Sequence, residues 1–173
     1  AFEKIRGVTG TGSNRGIIYV ATGKKYVEEA IASAQSCREY MPQLPVHLFT
    51  DLRTEHKVFS SVSLLANPMH NAADKILPLI DSPFEQAVFL DTDTQVCSEF
   101  PELFELLDQF DLAVTHAPWR TAYPASGSLL PPVDQSRIPA AFPEFNTGLI
   151  AFRKSPVTEE LFRQWHAQHT SAV

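Results

Sequence analysis

Short apolar, β-branched runs alternate with segments whose apolar residues recur at helical spacing, and this alternation constrains the fold more than anything else in the 173 residues. Residues 16–21 (GIIYVA) read as a buried strand, and 46–50 (VHLFT) and 86–90 (QAVFL) as further strands. Residues 58–65 make a weaker strand, and 111–115 and 145–153 (FNTGLIAFR) two more. Between them, Tyr26, Val27, Ala30, Ile31, Ala34 and Cys37 fall on one helical face, and Pro42 stops that helix. Further helices are predicted over 71–80, with Ala72, Ile76, Leu79 and Ile80 on one face, over 101–107 behind Pro101, and over 158–168. Residues 95–97 are expected to continue extended. Strand–helix alternation of this kind gives an α/β/α sandwich around a mostly parallel mixed sheet, with ligands at the carboxyl ends of the strands.

The length suits one domain able to bury roughly 70% of its unfolded surface. Lys and Arg total 14 against 20 Asp and Glu, a net charge of −6, which excludes a general nucleic-acid binder for want of a basic footprint. No apolar run approaches the roughly 18 residues of a membrane span, so a cytoplasmic protein is expected. Cys37 and Cys97 read as buried free thiols, and His47, His56 and His70 share no metal spacing and are placed on surfaces. Residues 1–15, whose glycines at 10, 12 and 16 miss the phosphate-loop register, read as a flexible leader before a single domain over 16–173. Six of the thirteen prolines fall within 117–144, which is read as a functional loop or covering lid. His116, Trp119 and Arg120 open it and could grip a sugar by stacking and hydrogen bonds.

The chemistry concentrates at Val88-Phe89-Leu90-Asp91-Thr92-Asp93-Thr94. An apolar strand there delivers two carboxylates to a strand end, where burial without a partner costs several kcal/mol. A divalent cation removes that cost, and hard oxygen ligands suit Mg²⁺ or Mn²⁺. The bland alternative is an exposed turn in which Asp caps its own backbone.

Strand-ending LDTDT, preceded by Lys75-Ile76-Leu77-Pro78-Leu79 and followed by Phe145-Asn146-Thr147-Gly148-Leu149-Ile150, resembles the GT-A nucleotide-sugar glycosyltransferases, and among them the glycogenin and lipopolysaccharide galactosyltransferase (family 8-like) group. The likeness runs over residues 16–168. It implies a GT-A (Rossmann-like) fold, transfer of a sugar from a nucleotide donor, UDP-sugar favoured, and a carbohydrate or other hydroxyl acceptor. It also implies that Asp91 and Asp93 hold Mn²⁺ (or Mg²⁺) and the donor diphosphate, with Asp91 near the ribose or sugar and Thr92 between them. Lys75 matches a basic position that meets the donor. Ala21 and Thr22 match the start of the nucleotide pocket, and Tyr26 matches an aromatic that packs on the base. Asn146 matches an amide near the transferred sugar or acceptor, and Gly148 would let backbone approach closely.

The chain departs from that group at Gly23 and Lys25, where acidic and amide side chains are usual. The group's metal-binding histidine comes from a segment past residue 173, so the domain is expected to be truncated at its C-terminus. His166 and His169 read as a solvated helix end. Two alternatives stay open: a haloacid-dehalogenase-type phosphatase using Asp91-x-Asp93-x, and a non-catalytic sugar-nucleotide or carbohydrate-binding domain.

Overall fold

A computed structural model describes residues 3–4, 14–117 and 145–171. Its strands are β1 (Glu3–Lys4), β2 (Arg15–Ala21), β3 (Val46–Thr50), β4 (Ser61–Leu64), β5 (Gln86–Leu90), β6 (Leu112–His116) and β7 (Phe145–Arg153). The helices are α1 (Lys24–Tyr40), α2 (Pro101–Leu106) and α3 (Pro156–Ser171). All seven strands join one sheet in the order β1-β4-β3-β2-β5-β7-β6. The central pairings β4–β3, β3–β2 and β2–β5 are parallel, while β7 runs antiparallel to both β5 and β6, and β1 antiparallel to β4. The sheet is therefore mixed, and five of its seven strands, β2 to β6, point the same way. Residues 1–15, read as a leader, meet the sheet at two places: Glu3–Lys4 pairs with Ser63 and Leu64, and Arg15 opens β2.

Alternating side chains along the central strands build two apolar layers, since successive residues of a strand face opposite ways. On one face Ile17, Tyr19, Leu48, Val88 and Leu90 pack against Val27, Ala30, Ala34 and Cys37 of α1 and Phe104 of α2. On the other, Ile18, Phe49, Phe89, Ile150 and Phe152 pack against Ile76, Leu79 and Phe162 of α3. Burying each such large side chain contributes roughly 1.5–3 kcal/mol, which is why apolar residues dominate these runs on both faces.

Several local expectations are corrected. The predicted helix over 71–80 is two 3₁₀ turns, Ala72–Lys75 and Leu77–Leu79. Pro78 has no N–H to give, and its ring would clash with the carbonyl of Asp74 in an α-helix, so bonds close three residues back, as from Ile76 to Ala73 and Leu79 to Ile76. Ala73 rather than Ala72 is then the buried alanine. Residues 95–97 form no strand; the Val96 amide instead donates to Ser36 Oγ at 2.9 Å. Cys37 is buried as read, but Cys97 is exposed. His47 is buried, because β3 is covered on both faces: its Nδ1 lies 2.6 Å from Ser61 Oγ and its ring is edge-on to Phe49.

Candidate active site

β5 ends at Leu90 between β2 and β7, and the chain turns at once. The Asp91 amide donates to the Gly148 carbonyl of β7 at 2.9 Å. The Thr94 amide and hydroxyl both donate to the Asp91 carbonyl, at 3.3 and 2.7 Å, closing a tight turn over Asp91–Thr94. Behind that turn, Thr94 Oγ1 lies 2.9 Å from Ser33 Oγ, which lies 2.8 Å from the hydroxyl of fully buried Tyr19. Burial pushes the Tyr19 hydroxyl and the neighbouring Cys37 thiol up, so both stay neutral and the chain of hydroxyls acts as a strut. The two carboxylates thus stand on a turn tied to β7 on one side and to α1 on the other.

The side chains of the turn differ. Both Asp91 carboxylate oxygens accept from Lys75 Nζ, at 2.9 and 3.2 Å, and that ammonium also lies 5.6 Å from the centre of the Phe89 ring. Lys75 is only 20% exposed and Asp91 33%. Thr92 Oγ1 donates to Glu29 Oε2 of α1 at 3.0 Å. Asp93 is exposed, and among the described residues its carboxylate has no hydrogen bond or ion pair.

The opposite wall is built around Asp74. Its carboxylate accepts from the Met69 and His70 amides, both at 2.8 Å, and from Thr22 Oγ1 at 3.1 Å, tying the segment after β4 to the end of β2. Asn67 and His70 adopt left-handed backbone (φ 56° and 54°) within that segment. Gly23 opens α1 at φ 92°, ψ 154°, a conformation almost confined to glycine, with its amide held 2.8 Å from Asp51 Oδ1. The acidic or amide side chain usual at this position in the resembled group would be strained here.

These walls enclose a cleft of about 300 Å³ at the carboxyl ends of β2 and β5. Thr22, Tyr26, Lys75, Asp91, Thr92 and Asp93 all line it. Ala21 does not: its side chain is buried in the core beside Ile17 and Tyr19, and strand alternation sends its neighbours Val20 and Thr22 to the cleft instead. Gly148 and Asn146 stand beside Asp91 rather than in the cleft wall. A Cβ on Gly148 would lie 3.4 Å from Asp91 Oδ2 and 3.0 Å from Asn146 Oδ1, the oxygen that accepts from the Gly148 amide at 2.7 Å. His116, at the end of β6, is exposed, with Nδ1 2.7 Å from the Ala117 carbonyl; Trp119 and Arg120 lie outside the described residues. His166 and His169 are half-buried on α3.

Glu29 and Asp74 were not singled out by the sequence. A glutamate in the second turn of an amphipathic helix reads as a solvated charge, and only the fold brings it to Thr92.

Four carboxylates line the cleft (Glu29, Asp74, Asp91 and Asp93) against one ammonium, Lys75. Such a wall repels a bare diphosphate and attracts a cation. Among the described residues no three His, Cys, Asp or Glu side chains converge as a metal cluster. The Asp91–Asp93 pair fits a small hard cation all the same, since Mg²⁺-type ions take one or two carboxylates and complete their shell with phosphate oxygens and water.

No family model matches the sequence, and no curated protein matches it significantly. Solved structures do match. The galactosyltransferase LgtC, in complex with donor and acceptor sugar analogs, aligns with 91% of this chain at 14% identity and a TM-score of 0.58. The bifunctional glycosyltransferase WbbM aligns with 94% at 16% identity and 0.58, and the bifunctional IspDF from Campylobacter jejuni with 88% at 13% and 0.55. The chain has a GT-A fold. It spans 66% of the LgtC chain, 35% of WbbM and 44% of IspDF, so this GT-A domain corresponds to part of each. The third is not named as a glycosyltransferase, so the likeness fixes the fold and leaves the reaction to the chemistry of the cleft. Among the described residues no helix is long and apolar enough to cross a membrane.

Proposed function

We propose that this GT-A domain is a metal-dependent glycosyltransferase that moves a sugar from a nucleoside diphosphate donor, UDP-sugar favoured, to a carbohydrate or other hydroxyl acceptor. The observation that carries the reading is the cleft itself, which is lined by an exposed aromatic, a hydroxyl and two carboxylates on a braced turn. Tyr26, 49% exposed in the first turn of α1, offers a face on which a base can stack. Thr22 Oγ1 and Lys75 Nζ supply polar contacts along the same wall.

Asp91 and Asp93 would hold the divalent cation, Mn²⁺ or Mg²⁺, whose contribution is to neutralise charge on the departing nucleoside diphosphate. Lys75 anchors Asp91 and presents its ammonium to the same anion. Asn146 spends its Oδ1 on the Gly148 amide, which leaves its NH₂ to donate to a hydroxyl of sugar or acceptor. In the transfer the bond between the anomeric carbon and the phosphate oxygen breaks, and the electron pair leaves with the diphosphate. The acceptor oxygen forms the new bond, and its proton ends on the diphosphate or on water. The phosphatase alternative normally places its motif on the first strand of the sheet, whereas Asp91 follows β5.

Thermal shift against UDP-, GDP- and TDP-sugars, with Mn²⁺ and again with EDTA, tests the reading. The expected result is a Mn²⁺-dependent rise for one nucleotide, together with slow release of that nucleotide when the sugar donor is incubated with the domain. Binding without any turnover, with acceptors supplied, contradicts the transferase and leaves a binding domain. No shift with any nucleotide contradicts the donor site altogether.

A further inference from the structure

We propose that Glu29 receives the ribose hydroxyls of the bound nucleotide and makes the cleft selective for ribonucleotides, an inference that rests on the nucleotide-donor reading above. Glu29 lies one helical turn after Tyr26, on the same side of α1, and both line the cleft. Its Oε2 accepts from Thr92 Oγ1 at 3.0 Å, so the carboxylate sits directly against the turn that carries Asp91 and Asp93. In any nucleoside diphosphate the ribose joins the base to the phosphates. A nucleotide with its base on Tyr26 and its diphosphate at Asp91 and Asp93 therefore lays its ribose along the stretch that Glu29 occupies.

The other acidic groups of that wall are committed. Asp91 has both oxygens on Lys75, and Asp74 accepts from two backbone amides and Thr22. Asp91, still in contact with Lys75, and Asp93, whose carboxylate has no hydrogen bond or ion pair among the described residues, are assigned above to the cation. Glu29 keeps Oε1, whose neighbour is Lys25 Nζ at 3.6 Å, an ion pair in which the lysine is 76% exposed and holds the carboxylate weakly. A carboxylate with one oxygen to spare is a charge-assisted acceptor for a vicinal diol. Its charge also explains why the cleft carries an acidic group beyond those needed for a metal.

Glu29 has a second role available, that of merely positioning Thr92, and the experiment separates the two. Calorimetric titrations in Mn²⁺ compare UDP and GDP with their 2′,3′-dideoxy forms, on the unaltered domain and on Glu29→Ala. Glu28→Ala serves as control, since Glu28 is exposed and among the described residues pairs only with Lys24, at 3.8 Å. The unaltered domain is expected to bind the ribonucleotide at least about tenfold more tightly than its dideoxy form, the span of one hydrogen bond to a charged group. Glu29→Ala should bring that ratio close to one, and Glu28→Ala should leave it. Equal weakening of both forms by Glu29→Ala assigns the residue to Thr92 alone and overturns the inference, as does an unchanged ratio. If none of the four nucleotides binds the unaltered domain, the donor-site reading falls and this inference with it.

Discussion

The two sides of β5 are built differently. Toward β2, β3 and β4 the strands run parallel, and every residue of β3 and all but the first of β5 are buried. Toward β7 and β6 the pairing is antiparallel; β6 has no buried residue, and β7 buries only Ile150, Ala151 and Phe152. Parallel strands are covered by helices on both faces, so their side chains carry stability and little else. The antiparallel side leaves polar residues such as Asn146 and His116 at the surface. Asp91 stands on the seam, its backbone amide on β7 and its side chain on Lys75 from the parallel side. The comparison teaches that the side chain of Asp91 is held from the buried half, while Asn146, proposed above to meet sugar or acceptor, comes from the half that is not.

Truncation on the two sides should break the symmetry most sharply. Phe89→Ala on β5 removes a ring that is 1% exposed and should cost about 3–5 kcal/mol in denaturant unfolding. Val114→Ala on half-buried β6 should cost on the order of 1 kcal/mol or less. Equal costs would show that both halves carry the core alike.

Next in size is the effect of charge at the turn. Asp93→Asn should lower transfer at least about a hundredfold, the scale of losing one preorganised electrostatic contact, with the melting temperature unchanged because the exposed carboxylate supports nothing in the fold. Asp91→Asn should lower transfer and also destabilise, since it weakens the partner of a Lys75 that is only 20% exposed. Full activity in either variant, measured as nucleotide release, would remove these residues from the reaction.

The smallest effect lies at the foot of β6 and β7. The Arg153 guanidinium, 2.9 Å from Asp111, holds its carboxyl below the usual carboxylate range. A depressed carboxyl contributes stability above its unfolded titration range and loses it as pH falls through the folded value. Unfolding of Asp111→Asn and the unaltered domain should therefore differ slightly at neutral pH and converge below about pH 4. A difference that grows on acidification contradicts the assignment.

The parallel half was the legible half. GIIYVA, VHLFT and QAVFL are mainly apolar because nearly all of their residues are buried, and no tertiary knowledge is needed to see it. The motif Asp91-Thr92-Asp93 was visible for the same reason, as polar residues where a buried strand stops. What stayed hidden depends on distant partners. Helical spacing over 71–80 concealed the break that Pro78 imposes. His47 looked like a surface residue because its burial comes from layers on both faces of β3. Ser33, Tyr19 and Thr94 are ordinary in sequence, separated by 14 and 61 positions, and meet only in the folded chain. Ala21 matches the start of the nucleotide pocket in the resembled group, yet its side chain lies one residue out of phase with those that face the cleft.

The central claim is that Asp91 and Asp93, on a turn braced by α1 and β7, hold a cation that lets an acidic cleft accept a nucleoside diphosphate. The most direct test is calorimetric titration of UDP into the domain with Mn²⁺, with Mn²⁺ replaced by EDTA, and with Asp93→Asn in Mn²⁺. The account predicts saturable binding in the first case and loss of most affinity in the other two. Equally tight binding in EDTA, or in Asp93→Asn, would contradict it.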